Sequence, residues 1–366
     1  MKLEIIKDKL SEIITVAEKI TGKNLTLPIL NSILLTAKKN SLIIKATNLD
    51  VGLEVEIPIK VIEDGEAAIN AVTLSSFLNN LPKEEKIIIK SVNNNIHIAT
   101  NFSSTLIKCF PVEDFPVIPR VSSHPFILRV KDLLKGFKSV LSAASLSDIK
   151  PEIASVYIYQ DNQDLVFVAT DSFRLAEQRI TIEDKSKEFQ SVIIPFKNVS
   201  EIIRVLENAP GEVRIESSKN QISFFTNDVH FTSRVIDGNF PDYKQIMPTK
   251  FKTTITVSKD GLSSALKLAN IFTDKFNQIN LKVNPKDNLF EINSQNQEVG
   301  ENNISLKADL SGEKMEVVFN ARYLLDGFLS INSPMVILQF SDKNKPLLVK
   351  GADNDTFSYI LMPINR

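Results

Sequence analysis

The residues with the clearest potential for chemistry lie in one stretch, VFVATDSFRLA, which runs from Val166 to Ala176. Asp171 and Arg174 follow an apolar run and stand among small hydroxyl side chains. A catalytic carboxylate needs a partner whose surroundings separate the pKa values of the two groups. The nearest ionisable neighbours of Asp171 are Arg174 and Glu177, and no histidine stands beside them. The pattern therefore leaves catalysis open without favouring it.

An Asp-Ser pair directly after a strand is also typical of a turn, because both side chains can hydrogen-bond to nearby backbone N–H groups. Three interpretations of this stretch follow. It could belong to a hydrolase that uses Asp171 and Glu177, to a structural turn with an ion pair, or to a ligand-binding surface. We favour the ligand-binding surface.

The other reactive residues form no recognisable catalytic or metal-binding motif. The 11 glycines are scattered, so the sequence has neither a phosphate-binding loop nor a nucleophile elbow. His97, His124 and His230 are far apart, and we expect His97 and His230 to lie on solvated strand faces. Cys109 is the only cysteine, which excludes an intrachain disulfide and fits a reducing cytoplasm. We predict no metal site and no cofactor.

Length and composition place the chain among ordinary globular proteins. A chain of 366 residues with 43% hydrophobic and 24% charged residues predicts two or three domains. The N-terminus lacks the apolar core of a signal peptide, and no apolar run approaches the roughly 18 residues needed to span a bilayer. We therefore expect a cytoplasmic protein without a membrane partner. The net charge of -1 does not by itself indicate nucleic-acid binding.

The elements that must position these residues recur along the chain. Three segments share a short β-rich run, a Lys-Asp pair and a helical pattern, and their aspartates are Asp8, Asp132 and Asp260. The separations are nearly equal (132 − 8 = 124 and 260 − 132 = 128). We expect each aspartate to be the N-cap of an amphipathic helix.

Two further sets of segments have the same period. Short helical patterns start at Asn70, Pro195 and Asn320, each 125 residues after the last (195 − 70 and 320 − 195), and each precedes two strand patterns. Thr47 and Asn293 each lie 123 residues from Thr170 (170 − 47 and 293 − 170), in similar strand-turn segments. The chain is therefore predicted to contain repeated domains.

We predict an α+β fold with three copies of one domain, each with two helices packed on β-sheets and roughly eight strands. The predicted domains are residues 1–120, 121–247 and 248–366. The joints fall near the proline-rich stretches FPVEDFPVIPR and GNFPDYKQIMP, because proline interrupts strand pairing and stiffens a connection.

Four motifs, together with this repeat, resemble the bacterial DNA sliding clamp family, the beta subunits of the DNA polymerase III holoenzyme. The motifs are TLPIL from Thr26 to Leu30, VATDSFRLA, VIDGNFPDY from Val235 to Tyr243, and the terminal YILMPINR. The resemblance runs the full length. It implies that two chains associate head to tail into a ring of six similar domains, with helices lining a central hole. The third predicted helix, which follows Asp132, has apolar residues along one face. Lys135, Lys138, Ser139 and Ser142 lie on the opposite face.

The resemblance implies a non-enzymatic processivity factor. Such a homodimer would encircle duplex DNA without sequence specificity and tether DNA polymerases, the clamp loader and repair proteins through their short linear motifs. The near-neutral charge fits this function, because a ring that slides should touch phosphates weakly and be retained by enclosure.

The resemblance also implies three sets of site residues. The peptide-binding pocket between the second and third domains is matched by Ile153, Thr170, Ser172, Phe173, Arg174, Leu175, Pro241, Ile246, Ile360, Met362 and Pro363. The DNA contacts are matched by Lys23, Lys150, Lys197 and Arg204, and the dimer interface by Ile271 and Phe272.

Details of these sets are also expectations. Arg174 is expected at the pocket rim and Asp171 in a turn, and Ser172-Phe173 stands where relatives commonly carry Gly-His. Ile271 and Phe272, an apolar pair at a helix end, could equally be core residues. Two alternatives to the ring stay open, namely a hydrolase and a monomeric peptide-binding adaptor.

Overall fold

The structure is a computed structural model that describes residues 1–22, 27–83, 86–182 and 188–364. It contains two compact units, residues 1–131 with 197–237 (unit 1) and residues 132–196 with 238–366 (unit 2). Each unit contains most or all of one outer predicted domain and part of the middle one. The predicted domain boundaries stay a prediction.

The described residues contain six α-helices and 26 strands. The helices are α1 Lys7–Ile20, α2 Ala71–Asn79, α3 Val130–Val140, α4 Phe196–Leu206, α5 Lys259–Ile271 and α6 Ala321–Leu329. Nine strands fall in the first predicted domain: β1 Lys2–Ile6, β2 Ser32–Lys38, β3 Ser41–Thr47, β4 Val51–Pro58, β5 Lys60–Glu63, β6 Gly65–Asn70, β7 Lys86–Val92, β8 Asn95–Ala99 and β9 Ser104–Phe110.

Eight strands fall in the second predicted domain: β10 Phe126–Arg129, β11 Ser155–Asp161, β12 Asp164–Thr170, β13 Arg174–Thr181, β14 Val192–Pro195, β15 Glu212–Ser217, β16 Gln221–Phe225 and β17 Val229–Arg234. Nine fall in the third: β18 Thr253–Ser258, β19 Gln278–Asn284, β20 Leu289–Asn296, β21 Gly300–Ser305, β22 Ala308–Gly312, β23 Met315–Asn320, β24 Met335–Phe340, β25 Leu347–Gly351 and β26 Asn354–Leu361. The predicted α+β class, with two helices in each repeat, is confirmed.

The helices begin slightly earlier than the sequence predicts. Asp8, Asp132 and Asp260 lie in the first turns of α1, α3 and α5 rather than at the N-caps. The Ser258 hydroxyl caps α5 by accepting a hydrogen bond from the Gly261 N–H at 3.3 Å. The predicted N-caps are therefore wrong by two or three residues. An acidic side chain in a first turn still interacts favourably with the positive end of the helix dipole.

Unit 1 is built on one antiparallel sheet of 13 strands, in the order β10-β15-β16-β17-β4-β3-β2-β6-β9-β8-β7-β1-β5. Helix α1 packs on α2 and on β3 and β4. Its apolar residues Leu10, Ile14 and Ala17 recur at helical spacing and are 0% exposed. The burial of this stripe explains why the segment is a helix on this sheet.

Unit 2 contains a nine-stranded sheet, β14-β11-β12-β13-β26-β25-β24-β18-β22, and a four-stranded sheet, β21-β20-β19-β23. Phe137 of α3 packs edge-to-face on Phe167 of β12, with ring centroids 5.3 Å apart. A Cβ atom at Gly136 would lie 2.5 Å from the Phe167 ring, so only glycine allows this approach. On α3, Lys135 and Lys138 are exposed as predicted, whereas Ser139 is buried and accepts a hydrogen bond from the Ser330 hydroxyl at its carbonyl (2.8 Å).

Two strand pairs join one repeat to the next. In unit 1, β4 pairs with β17, and Gly52 lies opposite Thr232 (the first seam). In unit 2, β13 pairs with β26, and Leu175 lies opposite Ile360 (the second seam). No helix among the described residues has both the length and the apolar character to cross a bilayer.

Candidate functional site

The stretch VFVATDSFRLA, which contains Asp171 and Arg174, forms a tight turn between β12 and β13. The Thr170 hydroxyl donates to the Arg174 carbonyl at 2.7 Å and accepts from the Ser172 N–H at 3.2 Å. The Asp171 Oδ1 atom accepts from the N–H groups of Phe173 and Arg174, both at 2.9 Å. Ser172 has a φ of 77°, which lies in the left-handed region. The Thr170 hydroxyl and the Asp171 carboxylate therefore stabilise a backbone conformation that residues other than glycine rarely adopt.

The Arg174 side chain is buried and joins the turn to α6. Its Nε donates to Asp171 Oδ2 at 2.9 Å, and its Nη1 contacts the Asp326 carboxylate. The guanidinium lies over the Tyr323 ring, 4.2 Å from the centroid. Because Arg174 is only 9% exposed, the expectation that it lies at a rim is wrong. Its contacts instead connect β13 to the helix of the third repeat.

All eleven predicted pocket residues belong to unit 2, but their exposure differs. Phe173 and Ile246 are 62% and 46% exposed, and Ser172 and Pro241 are also exposed. Ile153, Met362 and Pro363 are half-buried, whereas Thr170, Arg174, Leu175 and Ile360 are buried. The Phe173 carbonyl accepts from the Met362 N–H at 2.8 Å, so the turn and the end of β26 are joined directly.

An apolar cluster lies beneath part of this surface. Leu175 and Ile360, both 1% exposed, pack with Tyr243 and with Val166, Val168 and Leu348. Partly buried aromatic residues border the cluster, and the Tyr157 ring stacks on Phe240 at 5.0 Å and on Tyr159 at 5.1 Å. The structure therefore brings the predicted pocket residues Leu175 and Ile360 together with linker residues that flank Pro241 and Ile246, among them Phe240, Tyr243 and Met247.

Sequence reasoning missed several residues of this region. Tyr243 is 6% exposed, and its hydroxyl donates to Glu177 Oε2 and lies 2.7 Å from the Tyr159 hydroxyl. Burial, followed by the neighbouring Glu177, raises the pKa of Tyr243 far above its ordinary value, so the hydroxyl stays protonated. The Arg179 Nε donates to Glu177 Oε1 at 2.8 Å. The sequence signal for this contact was Tyr243 in the stretch GNFPDYKQIMP. Its partner Glu177 could be identified only from the tertiary structure.

The predicted DNA contacts are dispersed. Lys150 is exposed in the loop after α3, and Lys197 and Arg204 are exposed on α4. Arg204 is paired with Glu201 on the same helix. Lys23 lies outside the described residues. These assignments stay predictions.

The predicted interface residues lie at the end of α5. Ile271 is 60% exposed and Phe272 is half-buried. Leu268 and Phe276, nearby in sequence, are 53% and 56% exposed, and Val299 is 56% exposed. The alternative that Ile271 is a core residue does not fit this exposure in the single chain. An apolar surface of this kind is typical of protein–protein contacts.

The two strand histidines differ from each other. His97 is half-buried, with its Nε2 2.8 Å from the Ser104 hydroxyl. His230 is 6% exposed and stacks on Phe225 at 4.5 Å, so the expected solvated face is wrong at this position. Burial, with a smaller contribution from Arg120, lowers the pKa of His230 to about 4. Within the described ranges, no group of three or more His, Cys, Asp or Glu side chains could hold a metal ion.

Three family models match consecutive parts of the chain. They are the N-terminal, central and C-terminal domains of the DNA polymerase III beta subunit, matched by residues 1–119, 128–242 and 244–365. Together they leave only short gaps and the last residue unmatched. A similar curated protein is the beta sliding clamp of Staphylococcus epidermidis, 26% identical over 350 residues, or 93% of this chain and 92% of the relative.

Solved structures of similar proteins cover the whole chain. The DNA polymerase III subunit beta of Pseudomonas aeruginosa superposes with a TM-score of 0.93 at 26% identity, with 100% of both chains covered. A Pseudomonas aeruginosa sliding clamp bound to griselimycin has a TM-score of 0.95 at 26% identity, again with 100% of both chains covered. With matches to all three domain models along its length, this chain belongs to the family of bacterial DNA sliding clamps, the beta subunits of DNA polymerase III.

Proposed function

We propose that this protein is a DNA polymerase processivity factor, a homodimeric ring that encircles duplex DNA and slides along it. Polymerases, the clamp loader and repair proteins are tethered through short linear motifs that bind the surface around Phe173. The proposal makes the protein non-enzymatic. Asp171 supports this view, because Oδ1 accepts two backbone N–H groups and Oδ2 contacts Arg174, which leaves the carboxylate committed to the turn.

The ring proposal rests on a pairing between repeats that occurs twice within the chain. The two strands that would form the third such pair have no such partner among the described strands. A turn of one type precedes β4 and β13, where Asn48 and Asp171 accept backbone hydrogen bonds. A related turn precedes β21, where Asn296 accepts from the N–H groups of Glu298 and Val299. Strands β4 and β13 then pair with β17 and β26, the last strands of the second and third repeats.

Strand β21 is the last in its sheet and pairs only with β20 among the described strands. The last strand of the first repeat, β9, contacts β6 only at Cys109 and Phe110, so Ser104–Lys108 has no described partner on that side. Strand β21 follows the same kind of turn as β4 and β13, and β9 is the last strand of its repeat, as β17 and β26 are of theirs. In the proposed ring, β21 of one chain therefore pairs with β9 of a second chain. Two chains joined head to tail in this way satisfy both open edges.

Side chains beside the two edges are complementary. Next to β9, a depression of about 530 Å³ is lined by Phe77, Leu106 and Ile107 together with neighbouring residues. Next to β21 are the exposed apolar residues Ile271 and Val299. Lys108 is exposed on β9, whereas Glu298 and Glu301 are exposed at the start of β21. Apolar burial flanked by opposite charges supports an interface there.

Weak contact with DNA is supported by the small net charge. A net charge of -1 is unlike that of a protein that grips many phosphates, whose affinity falls about 10³- to 10⁵-fold over a moderate salt increase. The predicted contacts Lys23, Lys150, Lys197 and Arg204 would touch phosphates without sequence specificity. Retention by enclosure needs no tight contact. The ring therefore holds DNA while it slides.

The ring proposal is tested by comparing DNA topologies. We expect a particle of twice the chain mass that, once loaded on nicked circular DNA, stays bound at salt that removes ordinary DNA-binding proteins. Linearising the DNA should release it, because a ring runs off free ends. A stable monomer would favour a peptide-binding adaptor instead. Equal release from circular and linear DNA would contradict enclosure. The Asp171→Asn variant should be retained on circular DNA at temperatures where it stays folded, since the proposal assigns this carboxylate a place in the turn and no catalysis.

The peptide surface is tested with griselimycin, which is bound in solved structures of similar clamps. We expect wild-type protein to bind it in isothermal titration calorimetry and the Phe173→Ala variant to bind at least about fivefold more weakly, because an exposed aromatic anchor is lost. Phe102→Ala is the matched control, since Phe102 is 65% exposed in unit 1 and Phe173 is 62% exposed. Equal affinity of both variants would place the binding surface elsewhere.

A further inference from the structure

Two walls of the proposed pocket lie on a segment with no strand of its own. Pro241 and Ile246 belong to the linker between β17, which ends at Arg234, and β18, which begins at Thr253. Its only regular structure is a short 3-10 turn at Tyr243–Ile246. Both wall residues are exposed, so they do not hold themselves in place by burial. A binding surface on such a segment needs anchors elsewhere in the segment to keep its shape.

The best-buried anchor is the Tyr243 side chain. Tyr243 and Glu177 are each 6% exposed, and the Tyr243 hydroxyl donates to one carboxylate oxygen of Glu177. The other oxygen accepts from the Arg179 Nε at 2.8 Å. Glu177 lies on β13, three residues after Arg174, so the linker is attached to the strand that follows the turn. A buried hydrogen bond to an ionised group is stronger than a neutral one and is costly to break.

Other contacts of the linker are weaker anchors, among them the half-buried Met247 and Phe251, which border the apolar cluster. Phe240 stacks on Tyr157, with the rings 5.0 Å apart, but both residues are only half-buried. The Lys244 ammonium lies 3.2 Å from Asp161, and its side chain is 56% exposed. Exposed ion pairs contribute little to order. The position of the walls therefore depends chiefly on Tyr243.

We propose that Tyr243 and Glu177 are positioning residues for partner binding. Their hydrogen bond fixes the linker, so that Pro241 and Ile246 are in place beside the β12–β13 turn, which contains Phe173, before a peptide binds. The inference rests on the proposed peptide pocket. Neither residue needs to touch the bound peptide. A preformed wall raises affinity because the linker is not ordered at the moment of binding.

The test compares Tyr243→Phe with Thr253→Val. Each variant loses one buried hydroxyl from unit 2, since Thr253 is 1% exposed and its hydroxyl donates to the Glu313 carbonyl at 2.7 Å. Thr253 lies on β18, which β24 and β25 separate from β26 in the sheet. We expect Tyr243→Phe to weaken griselimycin binding about five- to twentyfold and to speed amide hydrogen exchange in residues 238–247. Thr253→Val should leave both unchanged.

The pair itself is tested by a double-mutant cycle. Glu177→Leu and Tyr243→Phe/Glu177→Leu should each bind griselimycin about as weakly as Tyr243→Phe, because leucine has no acceptor and all three variants lack the Tyr243–Glu177 hydrogen bond. If Tyr243→Phe lowers the melting temperature while griselimycin affinity and linker exchange stay at wild-type values, the pair is merely structural and the inference is wrong. Failure of wild-type protein to bind griselimycin would contradict the proposed pocket, and hydrogen exchange would still show whether Tyr243 orders the linker.

Discussion

The two seams of this protein have the same backbone design and different side chains. In the first, the Thr47 hydroxyl donates to the Val51 carbonyl at 2.7 Å, and in the second, the Thr170 hydroxyl donates to the Arg174 carbonyl at the same distance. Leu49 and Ser172, the residues at the tips, have φ values of 78° and 77°. The turn is thus preserved although only its threonine is identical among the five positions.

The side chains after the turn differ in kind. The residue that ends the turn is an apolar Val51 in the first seam and, in the second, Arg174, whose guanidinium contacts Asp171 and Asp326. The next position is Gly52, which allows the linker residue Ile118 to pack directly against the strand, whereas the second seam has Leu175 there.

Each seam also attaches its linker through a glutamate at the same position of the strand. Glu54 pairs with Arg120, whose side chain is 64% exposed, and Glu177 accepts from the buried Tyr243. An exposed ion pair contributes about 0–1 kcal/mol, whereas loss of a partner from a buried polar pair costs about 1–3 kcal/mol. The same backbone frame thus has an exposed linker attachment in the first seam and a buried one in the second.

The two seams should differ most in the stability that is lost when the residue at the end of each turn is replaced. We expect Arg174→Ala to lower the free energy of unfolding by about 3–5 kcal/mol, because Asp171 would lose its buried partner. Val51→Ala, the matched change in the first seam, removes two methyl groups and should cost about 2 kcal/mol. Urea denaturation of both variants measures the difference. Equal losses would mean that the ion pair adds nothing beyond packing.

The Gly52 position should show the next largest effect. A Cβ atom there would lie 2.7 Å from the Ile118 side chain and 3.1 Å from Thr232. We expect Gly52→Ala to cost about 1–3 kcal/mol through overpacking. The double variant Gly52→Ala/Ile118→Ala should be more stable than the sum of the two single changes predicts. Strict additivity in thermal denaturation would show that Ile118 does not fill this space.

A pH effect should distinguish the first seam, where His230 lies opposite Glu54. Lys45, Arg120 and Arg214 also act on this ring, and burial is the main reason that its pKa falls from 6.5 to about 4. Between these values the unfolded chain binds a proton that the folded protein does not, so stability falls as the pH decreases from 6.5 to 4.

We expect the contribution of His230 to reach about 2 kcal/mol after allowance for solvent screening. Chemical denaturation of wild type and His230→Phe over this pH range checks it. The variant should lose less stability on acidification, with His97→Phe as the half-buried control. Parallel curves for wild type and His230→Phe would exclude His230 as the source.

The smallest effect concerns the turn tips. Leu49→Gly and Ser172→Gly should each raise the free energy of unfolding by up to about 1 kcal/mol, because glycine adopts a positive φ without the steric cost of a side chain. The gain is limited by the greater freedom of glycine in the unfolded chain. Equal gains in thermal denaturation would confirm that the two turns have the same backbone strain. A loss at either site would show that its side chain makes a compensating contact.

Much of the fold could be predicted because it depends on local patterns. The stripe Leu10, Ile14 and Ala17 in α1 has helical spacing, and the helix is present where that spacing predicts it. The repeat separations near 125 residues predicted which segments correspond. The third turn was misplaced, since the residue that accepts its backbone hydrogen bonds is Asn296 and not Asn293, which lies within β20. Short polar residues are interchangeable in such segments, so their spacing alone does not fix the alignment.

The site was harder to predict because burial depends on distant segments. Alternation along β17 correctly placed His230 on one face, but that face is covered, and a strand pattern does not reveal what packs on it. Arg174 is buried for the same reason, since its partner Asp326 is 152 residues away in sequence.

The sequence by itself determined the periodic elements of this protein, namely three similar modules, their helices and strands, and a hydrogen-bonded turn after β12. These depend on propensity and spacing over a few residues, which the sequence contains directly. Only the tertiary structure decided that Arg174 contacts α6, that Tyr243 binds Glu177 and that β9 and β21 have edges without a partner among the described strands. Those outcomes depend on which surfaces come together, and free energies of burial and pairing are set by neighbours that are remote in sequence.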